Sequence, residues 1–495
     1  MTDVPPPPPA GSDRTPSLLD ACIPAVALIV FLATSYLLYG DKAAQGPNQI
    51  ALLFCGLIAC GIAVKNGVPW SALRQATADG IASALSAIFI LLAVGALIGT
   101  WALSGTIATM VYYGLQVLSP HYFYASAALI CAVVATGIGS SWTVAGTIGI
   151  GLIGIAGNMG LSPEITAGAV ISGAYFGDKA SPLSDTVNLA AAASGSDLFQ
   201  HTRESLWTSI PALLLSLIGF ALLGQPGEFE ASGMLSGLTQ HFVITPWTLL
   251  PLVLVFGLAI LRFPPFVTIF AGALLGGVLA VLFNANQVIA FAKDASLPAP
   301  LALIKGIWSA LATGYVSSTG QVEIDRLLSR GGMESMLNTV WLILTALAFG
   351  AVLERAGLLK RLTEAAISGV RSTGSLVVAV VGTCIGLNVI ASDQYIAIVL
   401  PARMFRVEFD RRGLLPVALS RAVGDSATVT SPLIPWNSCG AYMAATLGVP
   451  TLSYAGFAFF SLLNPLATVA IAFLGFRMRR PEASEPAAVK PDRAA

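Results

Sequence analysis

Apolar runs of about twenty residues, set apart by short polar connections, fill most of the chain. A membrane-crossing helix needs about 20 predominantly apolar residues, within a range near 17 to 25. On that pattern ten crossings are expected, eight of them at residues 20–39, 49–64, 85–104, 205–223, 248–261, 264–283, 335–354 and 453–476. The other two, at 164–195 and 415–448, are too long for a plain span, and each is interrupted by Ser-Pro-Leu. Two further apolar stretches fold around a polar or glycine-rich middle: 122–156 around GIGSSWT, and 374–404 around NVIASDQY. Both read as re-entrant hairpins that enter the membrane and return to the same side, because non-helical backbone is tolerated at depth only where protein or a wet cavity surrounds it. An ordinary helix with a polar patch is the alternative for each.

The interruptions carry the unusual chemistry. Residues 172–195, SGAYFGDKASPLSDTVNLAAAASG, hold Asp178, Lys179, Asp185 and Asn188 around Pro182 in an otherwise apolar region. Charged side chains in a bilayer cost at least about 2.5 kcal/mol each on insertion scales, so they mark an ion or substrate path by default. A polar loop at the membrane surface is the bland alternative. A second copy favours the path: residues 421–448, RAVGDSATVTSPLIPWNSCGAYMAATLG, repeat the pattern. Gly177-Asp178 answers Gly424-Asp425, Ser181-Pro182-Leu183 answers Ser431-Pro432-Leu433, and Asn188 answers Asn437. An offset of 252 also brings Gly105 onto Gly357 and Ser141 onto Asp393. Interrupted hydrophobic segments at corresponding positions of two halves point to the binding site of a secondary transporter.

Composition agrees with a membrane solvent. Of 495 residues, 56% are hydrophobic and 10% charged, with a mean hydropathy of +0.80, whereas about a quarter of an ordinary soluble domain is charged. The formal net charge is zero, so no basic face is offered to nucleic acid. The six cysteines lie in apolar segments without metal or redox spacing and read as small core residues. Residues 1–19 read as a disordered proline-rich tail and 477–495 as a solvated one.

Lys and Arg concentrate in short cytoplasmic loops. With both hairpins in place, Lys65, Arg74, Arg203, Arg262, Arg355, Lys360, Arg361, Arg371, Arg403, Arg406, Arg411 and Arg412 can all face the cytoplasm, while 105–121, 157–163 and 225–246 contain neither residue type. The exceptions are Lys42 and the connection 284–334, where 300–313 could form another buried or interfacial helix. The expected fold is therefore an all-α polytopic membrane protein of two inverted repeats, 20–224 and 246–476, joined by an external loop at 225–245. Each repeat has five crossings, a re-entrant hairpin and a broken helix, and both termini are cytoplasmic. An odd number of crossings per repeat inverts the second, bringing the two Gly-Asp segments together near the midplane in one central cavity.

Na⁺ is a hard cation that wants several oxygen ligands, which helix breaks supply as freed carbonyls beside carboxylates, hydroxyls and amides. The first break offers Asp178, Ser181, Ser184, Asp185, Thr186 and Asn188; the second offers Asp425, Ser426, Thr428, Thr430, Ser431 and Asn437. A dehydrated carboxylate holds either a proton or a cation, and takes the cation only after losing the proton, which suffices for exchange. Asp178 and Asp425 lead as the Na⁺ and proton carriers, followed by Asp393. Lys179 and Arg421 read as counter-charges, with snorkelling toward the cytoplasm as the alternative for Arg421. Trp142 and Trp436 read as packing residues, and Glu164 and Glu354 as helix-end charges. Asp197, His201 and Arg203 fall at a cytoplasmic exit. All three histidines read as loop residues, which supports neither a zinc site nor a histidine proton relay. No Walker sequence supports ATP-driven pumping, and no nucleophile and base pair supports an enzyme. No cofactor is expected.

The segments GAYFGDKASPLSDTVNLAAAASGSDLF and DSATVTSPLIPWNSCGAYM closely resemble the two signature segments of the NhaC-type Na⁺/H⁺ antiporter family, within the ion-transporter superfamily, and LNVIASDQYIAIVLPARMF is similar to its second hairpin. The resemblance extends from about residue 85 to 476. It implies a bacterial-type plasma-membrane secondary antiporter exchanging Na⁺ for H⁺, and makes a homodimer plausible. Some relatives instead couple these ions to organic acids such as malate and lactate, so a Na⁺- or H⁺-coupled carrier of a small carboxylate or amino acid stays open. An ion channel fits less well, because two occluding hairpins argue against a continuous pore.

Overall fold

The computed structural model of the protein describes residues 15–224, 232–476 and 478. Among these, every regular element is a helix, and one isolated bridge joins Tyr315 to Arg330. The first half builds α1 (Leu18–Tyr39), α2 (Pro47–Lys65), α3 (Trp70–Ser83), α4 (Leu85–Leu103), α5 (Thr106–Val117) and α6 (Phe123–Ile138). It continues with α7 (Ser141–Val144) and α8 (Ile150–Asn158), joined by a π-turn, then α9 (Pro163–Ala180), α10 (Asp185–Ser194) and α11 (Leu198–Leu222). The middle holds α12 (Ser232–His241), α13 (Leu250–Ile260), α14 (Pro265–Phe291), α15 (Ala299–Ala312) and α16 (Val322–Leu328). The rest comprises α17 (Leu337–Arg355), α18 (Leu358–Ser368), α19 (Thr373–Ile390), α20 (Gln394–Arg411), α21 (Pro416–Val423), α22 (Ser438–Leu447), α23 (Thr451–Ala455) and α24 (Phe459–Phe473).

Eight helices are long and apolar enough to cross a membrane, and a ninth span results if the bent pair Leu235–His241 and Pro246–Ile260 counts as one, all among the described residues. The chain is an all-helical multi-pass membrane protein. Its outward surface suits lipid: Leu37, Leu57, Val133, Leu214, Val253 and Leu282 are each more than half exposed, an apolar load that a bilayer solvates and water does not. α6, with its preceding turn, and α19 qualify as full spans, so the stretches expected to be hairpins each begin with a helix of crossing length.

Several boundaries move for local reasons. α1 begins at Leu18 because Ser17 and Asp20 form a reciprocal capping box, so the expected tail yields its last residues to a helix; residues 1–14 and, Met478 apart, 477–495 lie outside the described residues. α11 starts seven residues before the expected 205, because Asp197 caps it by accepting from the Gln200 N–H at 2.9 Å. α14 runs on to Phe291 across a kink at Asn284, whose side-chain amide donates to the Ser104 carbonyl at 2.9 Å. The open stretch 300–313 is helical as α15. Residues 225–231 are not described, and 232–241 form α12 where a loop was expected.

Two pairs of corresponding glycines share the same backbone conformation at helix ends. Gly105 and Gly357, 252 residues apart, both adopt left-handed backbone, at φ 80° and 70°, between corresponding helix pairs. Gly195 and Gly448, at φ 75° and 71°, both terminate the helix after a break, a conformation that favours glycine because it has no Cβ. In the first half, Gly173 and Gly177 let α9 lie directly on α6: a Cβ at either position would run into the α6 backbone near Ala128 and Ala132. Such small-residue contacts let membrane helices approach closely enough to gain dispersion energy.

Candidate functional site

Each Ser-Pro-Leu breaks its helix, and the surrounding polar residues first satisfy the backbone that the break exposes. After α9 ends at Ala180, Ser184 caps α10, while the Asn188 amide donates to the carbonyls of Pro182 (3.1 Å) and Ser184 (2.6 Å). Ser181 accepts from the Leu183 N–H at 3.3 Å, and Thr186 shares a 2.9 Å bond with Ser184. In the second half, α21 runs into a π-turn, Gly424–Thr428, then a short turn at Ser431–Leu433, before Asn437 caps α22 through the Cys439 N–H at 3.0 Å. Proline prevents both helices from closing, since it lacks the N–H and clashes with the preceding turn.

The first break opens on a cavity of about 760 Å³ whose lining includes Ser141, Asp178, Asp185, Asn188, Asp393 and Tyr395. Asp178 Oδ2 accepts from Ser141 Oγ at 2.6 Å and from the Ser141 N–H at 3.4 Å. Among the described residues Asp178 Oδ1 has no hydrogen-bond partner, although the residue is only 4% exposed. A buried carboxylate oxygen without a donor is costly unless a proton or cation satisfies it. Asp185 is exposed and accepts from Tyr395 Oη at 2.6 Å, linking the two halves. Asp393 caps α20 by accepting from the Ile396 N–H at 2.8 Å.

Asp425 is elsewhere, which corrects the expectation that it shares a cavity with Asp178. It is fully buried, absent from the cavity lining, and ion-paired with Lys179, itself 1% exposed. Successive residues of a helix point about 100° apart, so α9 turns Asp178 to the cavity and Lys179 to the second half. Thr468 Oγ1 of α24 donates to the Asp425 carboxylate, and the Asn464 amide donates to the Asp425 backbone carbonyl at 3.3 Å. Arg421 is 2% exposed and lies 3.7 Å from the Glu204 carboxylate, so it is held inside rather than extended to the surface.

Four polar residues of this region escaped sequence reading. His201, expected in a loop, is fully buried on α11, with Nδ1 2.9 Å from Ser420 Oγ, and Glu204 lies one turn further on the same helix. The Asp197 cap signal, three residues before Gln200, would have extended the helix over both. Asn388 donates to the Ala427 carbonyl at 2.7 Å and to Thr430 Oγ1 at 3.0 Å, and accepts from the Asn437 amide at 3.2 Å. Gln394 accepts from Ser431 Oγ at 2.9 Å. Both stand in NVIASDQY, where two polar side chains on an apolar stretch were the available signal. Trp142 stacks on Tyr442 at 3.9 Å, and Trp436 donates to the Val389 carbonyl at 2.7 Å. Among the described residues no three His, Cys, Asp or Glu side chains converge as a metal centre.

Comparison with known proteins covers this whole arrangement. The Na⁺/H⁺ antiporter family matches residues 173–476, from the first glycine of the α9 pair through both breaks to the end of α24. The Na(+)/H(+) antiporter NhaC of Alkalihalophilus pseudofirmus is 37% identical over 86% of this chain and 90% of its own length. The Na(+)/H(+) antiporter NhaC of Bacillus subtilis is 35% identical over 86% of this chain and 92% of its own. The arginine/ornithine antiporter ArcD of Halobacterium salinarum is 35% identical over 98% of this chain and 97% of its own. With that match spanning both broken helices, and relatives aligned over nearly their full length, the chain belongs to the Na⁺/H⁺ antiporter family.

Proposed function

We propose that the protein is a secondary antiporter exchanging Na⁺ for H⁺ across a bacterial-type plasma membrane by alternating access. The observation that carries this reading is the Asp178-Lys179 pair at the end of α9. One residue lines the cavity and keeps a buried carboxylate oxygen without a partner among the described residues, and the next is locked to a carboxylate of the other half. Na⁺ and a proton compete for Asp178, because a carboxylate takes the cation only after deprotonation. Serine and threonine hydroxyls and the carbonyls of the break supply further oxygens. The Lys179–Asp425 pair bridges the halves, so whatever neutralises Asp425 frees the first broken helix from the second.

The test is transport in proteoliposomes with an imposed pH gradient. Added Na⁺ is expected to dissipate the gradient. One observation favours a second cargo class: about 760 Å³ far exceeds the space one ion needs and lies in the range of small-molecule sites. Malate, lactate and arginine are therefore tested beside Na⁺, Li⁺ and K⁺. A gradient that responds to an organic solute and never to Na⁺ replaces the first reading with the second.

The two halves are proposed to be inverted relative to each other, with both termini and the 403–412 segment cytoplasmic. A single cysteine in place of Arg411, exposed at the end of α20, should then resist an impermeant thiol reagent in intact cells. Its labelling from outside sinks this topology.

A further inference from the structure

Two short polar turns, Ser140-Ser141-Trp142 after α6 and Asp393-Gln394-Tyr395 after α19, each reach across to the helix that follows the break in the other half. They do so in contrasting ways. Tyr395 Oη donates to Asp185 at the start of α10, and both of these residues are exposed and line the cavity. Trp142 stacks on Tyr442 of α22, with ring centroids 3.9 Å apart and planes 13° from parallel, and Tyr442 Oη donates to the Trp142 carbonyl at 2.9 Å. Trp142 lines the cavity, whereas Tyr442 does not and is fully buried.

The cavity is one-sided. The connections from α3 to α4, α10 to α11 and α13 to α14 bring exposed Ser83, Phe199 and Arg262 to its lining. α4 measures its depth: Ser86, Ala87 and Ile90 line it, and from Ala93 to Leu103 every residue is buried. Tyr442 meets α4 where the lining stops, since a Cβ on Gly146 would sit 2.9 Å from Tyr442 Oη and 3.1 Å from Val94 Cγ2. Further along, a Cβ on Gly149 would sit 3.0 Å from Leu447 Cδ2. α22 thus lies on the π-turn between α7 and α8, with glycine at both contacts. It begins at Ser438 and Cys439, which line the cavity, and ends at exposed Gly448. From Tyr442 to Gly448 the helix rises about 9 Å, so the barrier beyond the stack is thin.

We infer that the Trp142–Tyr442 stack is the closed gate of this cavity, and that α22 parts from the turn between α7 and α8 when the cavity opens on the side away from Arg262. An antiporter exposes its site to one side at a time by moving one packed unit against another around that site. The stack joins the two halves at the closed end of the cavity, where such a movement has to separate them. Its rings present apolar faces to each other and keep water out, and the glycines of the opposing turn give α22 a surface with no side chains to displace. The Tyr395–Asp185 contact, exposed and within the cavity, is the counterpart on the open side. This inference rests on the antiport reading, whichever cargo is carried.

The test locks the gate. Gly149→Cys with Leu447→Cys places two thiols across the contact, a short bifunctional methanethiosulfonate bridges them, and dithiothreitol removes the bridge. In proteoliposomes with an imposed pH gradient, Na⁺/H⁺ exchange by the bridged protein is expected to fall to background and to return to its untreated rate on reduction, while the parent, its native cysteines treated identically, keeps its rate. Exchange at the untreated rate with the bridge confirmed by mass spectrometry marks a static packing contact and overturns the gate, as does a loss that reduction does not reverse. If that variant does not fold, Thr446→Cys takes its place: Thr446 is 3% exposed in α22, and the new thiol should react with a maleimide, above the background of the native cysteines, at a rate that changes with Na⁺ and pH. No reaction at any Na⁺ concentration or pH, or a rate that ignores both, overturns the gate. A parental protein that moves neither Na⁺ nor an organic solute overturns the antiport reading together with this one, so the two failures are told apart.

Discussion

Asp178→Asn is expected to fold and insert as the parent does and to exchange no Na⁺ for H⁺ above background, whereas Asp197→Asn exchanges at the parental rate. The substitution is nearly isosteric. The new amide can keep its oxygen on Ser141, where Oδ2 now accepts at 2.6 Å, and place its NH₂ at the buried Oδ1 position, which has no partner among the described residues. The hydrogen bond to the first hairpin region therefore survives, while the group that binds a proton or a cation is gone. Asp197 is the appropriate control because it is exposed and serves as a helix cap, a role asparagine fills equally well. Both changes remove one negative charge, so general electrostatics cannot explain a difference between them. Parental Na⁺/H⁺ exchange by purified Asp178→Asn across the pH range would remove Asp178 from the mechanism and direct attention to Asp393, which lines the same cavity.

Lys179→Met is expected to destabilise the protein by about 3–5 kcal/mol, the usual cost of leaving one partner of a buried ion pair uncompensated. Asp425 is wholly buried, and with the ammonium gone the Thr468 hydroxyl is the one group among the described residues that hydrogen-bonds its carboxylate. Asp425→Asn alone strands Lys179 in the same way, so a transport defect in that variant mixes lost chemistry with lost stability. The double variant Lys179→Met with Asp425→Asn should recover most of the thermal stability, because the opposed charges leave together, yet remain inactive. Thermal unfolding of detergent-purified protein measures this. A Lys179→Met protein that melts with the parent shows that the ion pair contributes little, and the proposed bridge between the halves loses its basis.

The glycine pair of α9 shows how packing and chemistry depend on each other here. Gly173 and Gly177 bring α9 onto α6, and that approach places Asp178, the next residue, within 2.6 Å of Ser141 just beyond the end of α6. GAYFGD is thus both a packing motif and the delivery of a carboxylate, with the glycines setting the distance.

Much of this was legible from the chain alone, for identifiable reasons. A bilayer imposes a minimum apolar length and makes buried charge costly, so the spans, the two broken helices and the anomalous Asp178, Lys179, Asp393, Arg421 and Asp425 stand out without any knowledge of contacts. Proline acts through local backbone geometry, so the helix breaks at Pro182 and Pro432 could be located from their neighbours. Partnership could not. Asp178 and Asp425 occupy matching places in their repeats, yet one faces a cavity and the other an ion pair, because the two motifs break differently and α9 turns by about 100° between Asp178 and Lys179. His201 and Glu204 were hidden because their chain neighbours are polar, and only the packing of α11 against α21 and α24 takes them out of water. Periodicity and local capping are properties of a few adjacent residues, and sequence by itself determined those; which charge meets which across nearly 250 residues depends on how whole helices pack, and the tertiary structure alone decided it.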